Sequence, residues 1–144
     1  MGSYYGMENY YHSLKAYAER LELEDVYFTG HISFADILAY YQLADIFLCM
    51  SEHEGFCVPL AEAMAFEIPI IAYDSSAIAG TLGGSGLLLK EKDFKVAAEM
   101  IHRIVTDAQL REDLIYNQNI RLKDFEHDVI KEQFQKYIKD FSGE

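Results

Sequence analysis

Two carboxylates eight residues apart, Glu54 and Glu62, bracket a segment whose backbone carries as much chemistry as its side chains. Gly55, Phe56, Cys57 and Val58 come directly before Pro59. Proline suits the first helical position, because its missing N–H would have been an orphan donor there anyway. A helix starting at Pro59 leaves the amides of Gly55 to Val58 unpaired at its positive end, where an anion can be held. A carboxylate accepts two hydrogen bonds side by side and is a natural partner for vicinal hydroxyls. The segment therefore offers amide donors for phosphate flanked by two acids for sugar hydroxyls. In the plainer reading Glu54 is a solvated loop residue and Glu62 an exposed helix residue. Residue types alone leave both readings open.

The flanking elements give this segment its place. Ile46 to Met50 (IFLCM) is a short apolar run of strand type, and Pro69-Ile70-Ile71-Ala72 begins another. Strand, loop, helix and strand in that order predict a parallel α/β unit in a Rossmann-like, doubly wound sheet. Ligands in such folds bind beyond the carboxyl ends of the strands. Glu54 then stands at that rim, and Glu62 about one turn into the helix.

Around this unit, Tyr10, Leu14, Tyr17, Ala18 and Leu21 recur at helical spacing. Val26 to Gly30 (VYFTG) is of strand type. Ser33, with Asp36 three residues on, caps a helix presenting Ile37, Leu38, Tyr41 and Leu43. Asp45 precedes a strand and reads as a cap or turn carboxylate. The glycines of Gly80 to Gly86 suggest a phosphate cradle, but they run into the strand-like Leu87-Leu88-Leu89. A dinucleotide fingerprint needs a helix after its glycines, so this is a permissive loop. Ser75 and Ser76 follow a strand end, within reach of a sugar. From Asp93 the pattern is helical, with a stripe of Val96, Ala97, Met100, Ile101, Ile104 and Val105 facing the sheet. A second helix carries Leu110, Leu114, Ile115 and Ile120, and a third Val129, Ile130, Phe134, Tyr137 and Ile138. Their alternating charges read as solvated faces.

Composition sets the outer bounds. The 144 residues suffice for one domain with a real core, and 51% apolar and 14% aromatic content describes a folded globule. No apolar run approaches the ~20 residues of a membrane helix, and no signal peptide opens the chain. Cys49 and Cys57 read as reduced thiols of a cytosolic protein. The formal charge of −12 argues against nucleic acid and against anionic lipid. Residues 1–89 hold 12 acidic side chains against Lys15 and Arg20, and residues 90–144 hold 12 against 10 basic ones. The site-bearing part thus has almost no cations of its own for a diphosphate. His53 lies beside Glu52 and Glu54, but a single histidine does not make a zinc site, and no metal is expected.

Ser51, Glu54-Gly55-Phe56, Pro59, Glu62-Ala63-Met64-Ala65 and Pro69-Ile70-Ile71-Ala72 resemble the E-x7-E segment of GT-B retaining glycosyltransferases of family 4. Phe28-x-Gly30, Ala44-Asp45 and Gly83 with Gly86-Leu87-Leu88 extend the resemblance over roughly Gly2 to Phe125. The resemblance implies the C-terminal, nucleotide-sugar-binding half of a GT-B fold as a single domain over residues 1–144, N-terminally shortened and without its acceptor domain. It also implies roles: Glu54 on the donor sugar as the catalytic-site acid, the amides of Gly55, Phe56, Cys57 and Val58 on sugar and diphosphate, and Glu62 on the ribose. His31 and Ile32 would meet the base. In the family a basic Arg and Lys pair that holds the diphosphate lies ahead of the part present here. Three positions depart from the pattern: Cys57 and Glu67 stand where glycine is usual, and Gly80 where glutamate is common. The terminal helix in such proteins crosses to the other domain, which would leave it partly unsupported here.

The expectation that follows is transfer of a hexosyl unit from a UDP-, GDP- or ADP-sugar to a glycan or lipid-linked acceptor in cell-surface polysaccharide synthesis. The sugar nucleotide is a co-substrate, and no cofactor is expected. The full-length enzyme would be cytoplasmic or peripheral at the inner face of the membrane, and the chain alone inactive. Loss of central strands predicts self-association through exposed sheet edges. One alternative is a glycoside hydrolase using Glu54 and Glu62 as acid and nucleophile. It sits badly with a helix N-terminus, which favours the charged carboxylate. The other is a non-catalytic α/β protein-interaction module.

Overall fold

The computed structural model describes residues 4–142, and it divides between Gln42 and Leu43 into two compact units. In the first, helix α1 (Glu8–Arg20) turns Tyr11 inward, stacked on Tyr4 at 4.5 Å and edge-on to Phe28 at 5.7 Å. Tyr11 and Ala18 are half-buried, whereas Tyr10 and Tyr17 of the expected stripe are exposed, so the inner face lies one residue round the helix. Gly30 has φ +61°, and a Cβ there would come 3.1 Å from the Tyr4 ring. Helix α2 (Phe34–Leu43) begins as predicted at Ser33: the Asp36 amide donates to Ser33 Oγ at 3.2 Å, and the Ser33 amide to Asp36 Oδ2 at 3.2 Å. Val26–Gly30 does not form the predicted strand. A strand exists only as a ladder, and no described segment pairs with this one.

The second unit carries a three-stranded parallel sheet in the order β1 (Phe47–Cys49), β2 (Ile70–Tyr73), β3 (Leu87–Leu89). Phe47 pairs with Ile70, and Ile71 with Leu87. All three strands lie where the apolar runs predict. Pro69 fits a strand start, since it needs no N–H there while its carbonyl accepts from the Phe47 amide at 2.9 Å. β2 has neighbours on both sides, and Ile70, Ile71 and Ala72 are all buried. Such a strand reads as a continuous apolar run instead of an alternating one. Ile71 and Leu89 pack with Ala97, Ile104 and Leu114 of the helices that follow, while Ile70 and Ala72 point to the opposite face by strand alternation.

Those helices are α5 (Phe94–Thr106), α6 (Ala108–Leu122) and, after a 3-10 turn at Lys123–Phe125, α7 (His127–Ser142). Asp93 and Asp107 cap α5 and α6 by accepting from amides two or three residues on. The α5 stripe is narrower than predicted. Ala97 and Ile104 are buried with Met100 and Ile101 against them, but Val96 and Val105 are exposed. The helical C-terminus is present as expected, and no residue of α7 is buried.

Two helices connect the strands. Helix α3 (Val58–Ala65) buries Leu60, Ala63 and Met64, with burial of each large side chain worth about 1.5–3 kcal/mol. It ends in a Schellman motif: the Ile68 amide reaches the Ala63 carbonyl and the Glu67 amide the Met64 carbonyl, both at 3.0 Å. Glu67 takes the left-handed position at φ +57°, so the cap forms without the glycine expected there. Gln118 of α6, fully buried, donates from Nε2 to the Ile68 carbonyl at 2.9 Å and ties α6 to this corner. Helix α4 (Ile78–Leu82) was not expected. Gly80, Thr81 and Leu82 are helical, and the permissive loop shrinks to Gly83–Gly86.

Candidate functional site

The carboxyl end of β1 opens into the loop 50–57, which leads into α3. The helix starts one residue earlier than the proline pattern predicts, with Cys57 as N-cap, Val58 first and Pro59 second. The position still suits proline, since the amide of the second helical residue is also an orphan. The Cys57 side chain makes no capping bond. Among the described residues no hydrogen bond takes up the amides of Gly55, Phe56, Cys57 or Val58. The Leu60 amide, by contrast, is turned in to the Cys57 carbonyl at 2.9 Å. Four consecutive donors thus stand open at the positive end of a helix.

Cys57 has φ +64°, a left-handed conformation that β-carbon-bearing residues rarely adopt. The residue as a whole is only 6% exposed, and its thiol is packed inward. Burial pushes this thiol up to about 12, with the nearby Cys49 and Glu54 adding to the shift. Both cysteines are free thiols.

Glu54 is half-buried in the loop, and Glu62 is half-buried on α3. Glu62 follows Val58 by four residues, so both share a helix face, roughly 6 Å apart along the axis. The structure therefore brings Glu54, Gly55, Phe56, Cys57, Val58 and Glu62 together on one strand–loop–helix unit. His31, exposed, and Ile32, half-buried, belong to the other unit.

The loop is fastened from behind. The Ser75 hydroxyl donates to the Ser51 carbonyl at 2.6 Å, Ser76 to the Glu52 carbonyl at 3.2 Å, and Thr81 to the Phe56 carbonyl at 2.5 Å. Ser75 and Ser76, singled out above for a sugar, thus spend their protons on the loop backbone. Lys92 Nζ pairs with Glu52 Oε1 at 2.6 Å and lies 5.0 Å from the Tyr73 ring centre. That contact holds the Glu52 carboxyl below its ordinary range. Lys90 pairs with Asp74. A charge count by chain halves hides these cations, because β3 delivers residues 90–92 to the same end of the sheet as the glutamate loop. Their position just past a strand end was the available signal. Asp45 lies at the opposite strand end, where its carbonyl accepts from Arg111 at 2.8 Å. No group of three or more His, Cys, Asp or Glu is placed to hold a metal ion among the described residues.

The family model for glycosyl transferases group 1 matches residues 4–121. The chain belongs to this family. It is 29% identical over 117 residues to the capsular polysaccharide biosynthesis glycosyltransferase CapM of Staphylococcus aureus, covering 79% of this chain and 30% of that protein. Its fold superposes with a TM-score of 0.77 on Anabaena Alr3699/HepE, solved in complex with UDP and glucose, at 25% identity, over 96% of this chain and 39% of that one. It also matches the C-terminal domain of the group 1 protein LpcC from Francisella tularensis, with a TM-score of 0.68 at 25% identity, over 80% of this chain and 61% of that one. The α/β unit is thus the Rossmann-like C-terminal half of a GT-B fold. This group 1 glycosyltransferase chain spans about a third of the length of CapM and HepE. Among its described residues no helix is long and apolar enough to cross a membrane.

Proposed function

We propose that this chain is the nucleotide-sugar-binding part of a retaining glycosyltransferase that moves a hexosyl unit from a UDP-, GDP- or ADP-sugar to a glycan or lipid-linked acceptor in cell-surface polysaccharide synthesis. The observation that carries the reading is the run of four open amides, Gly55 to Val58, between two half-buried carboxylates. Charge gathers on the diphosphate as the sugar leaves with oxocarbenium character. Preorganised amides at a helix N-terminus stabilise that charge without reorganising. Glu54 orients the sugar hydroxyls, and Glu62 takes the ribose diol. The capsular role of CapM and the UDP and glucose held by HepE support a sugar-nucleotide donor and a surface-polysaccharide product. The acceptor domain and the basic pair for the diphosphate lie outside this chain in the complete enzyme, which works in the cytoplasm or at the inner membrane face without a metal.

Calorimetric titration tests the assignment of roles. Glu54→Gln should weaken UDP-glucose, or whichever sugar nucleotide binds, while leaving the matching nucleoside diphosphate unchanged. Glu62→Gln should weaken both by about tenfold, the equivalent of a hydrogen-bonded charge at about 1.5 kcal/mol. Equal affinity of wild type and both variants for every ligand tried contradicts the reading.

A further inference from the structure

One of the bonds that fasten the glutamate loop falls beside its amides. Thr81, 3% exposed on α4, donates its hydroxyl to the Phe56 carbonyl at 2.5 Å. The Phe56 ring stands edge-on to Phe125 at 5.2 Å. Arg121 closes the circuit: its guanidinium lies 4.7 Å from the Phe125 ring centre, while Nε donates to the Thr81 carbonyl at 3.0 Å and an Nη to the Gly80 carbonyl at 2.6 Å. Phe56 is thus held at its carbonyl by α4 and at its ring by the turn after α6, and Arg121 binds those two supports to each other.

The Phe56 carbonyl and the Cys57 N–H belong to one planar trans peptide and point in opposite directions. A hydroxyl that holds the carbonyl on the protein side therefore turns the Cys57 amide outward, among the open donors. The same peptide leads into Cys57 at φ +64°, a conformation that persists only where its surroundings over-determine it. The Thr81 bond restrains the peptide that enters Cys57, as the Leu60 amide at 2.9 Å restrains the carbonyl that leaves it.

We propose that Thr81 is a positioning residue for the anion-binding amides, acting through the Phe56 carbonyl; its effect on ligand rests on the sugar-nucleotide reading above. The test compares Thr81→Val, which keeps the shape and removes the hydroxyl, with Thr81→Ser, which keeps the hydroxyl. Thr81→Ala serves in place of valine if the valine variant does not fold. Backbone 15N order parameters are measured on the whole 144-residue chain, and UDP and UDP-glucose are titrated into each variant. Valine should lower the order parameters of Phe56 and Cys57 from about 0.85 towards 0.6 while those of β2 stay put. Affinity for UDP should fall about fivefold to tenfold, with serine close to wild type in both respects. Unchanged order parameters in the valine variant, or a serine variant as impaired as valine, overturn the proposal. If the wild-type chain binds neither UDP nor UDP-glucose, the sugar-nucleotide reading loses its support on this chain. The order parameters then decide the hold of Thr81 on Cys57 by themselves.

Discussion

Two residues with side chains occupy left-handed backbone beside the same helix, one exposed and one buried, so the same substitution should act in opposite directions. Glu67 closes the Schellman motif of α3 at φ +57° with its side chain in solvent. Left-handed backbone costs a residue with a β-carbon about 1–2 kcal/mol, and glycine gives back roughly 0.5–1 kcal/mol through its freer unfolded chain. Glu67→Gly also loses an exposed bond from Asn119 Nδ2 at 3.2 Å. The net expectation is a gain of about 0.5 kcal/mol, or roughly 2 °C in Tm for a chain of this length. Cys57→Gly relieves the same kind of strain at φ +64° but removes the side chain of a residue only 6% exposed. The lost burial and the void together cost about 1–3 kcal/mol, which outweighs the gain. Urea unfolding followed by circular dichroism separates the two variants through their midpoints, provided the slopes agree. Movement of both midpoints in the same direction would refute the reasoning.

Other outcomes follow from the same geometry. Gly83 has φ +57° and a Cβ there would lie 2.7 Å from Arg121 Nε, so Gly83→Ala should cost about 1–3 kcal/mol in urea unfolding. The Cys57 thiol keeps its proton in the folded chain until about pH 12, whereas its ordinary value is 9.0. Its contribution to stability is therefore complete below pH 9 and is lost as pH rises through the window from 9 to 12. Midpoints measured across that window should fall more steeply for the wild type than for Cys57→Ser, and parallel curves would contradict the burial of the thiol. Ile130, Phe134, Tyr137, Ile138 and Phe141 are all exposed on α7, which predicts concentration-dependent association in light scattering. A monodisperse monomer at high concentration would count against it.

Much of the second unit was legible in the sequence because its signals are local. Apolar runs bounded by polar residues give β1, β2 and β3, and Pro59 marks the start of α3 to within one residue. Asp93 gives the start of α5, and the same logic gives Ser33 for α2. Less legible were features that depend on what a segment meets in space. Val26–Gly30 has strand composition but no ladder partner, and composition cannot supply one. Gly80 suggested a loop, yet the segment is helical because Arg121, some forty residues away, takes up the Gly80 and Thr81 carbonyls at its end. The roles of Lys92 and Thr81 are not legible for the same reason: each meets the glutamate loop only through the fold. The acids and amides at the centre were readable because strand, loop and helix bring them together within a dozen residues.

The central claim concerns those amides, and chemical-shift mapping addresses it most directly. Adding UDP-glucose or a GDP- or ADP-sugar to the 15N-labelled chain should move the amide resonances of Gly55, Phe56, Cys57 and Val58 first and furthest, with Glu54 and Glu62 close behind. Saturable shifts confined to another part of the chain, with these four amides unmoved, would contradict it.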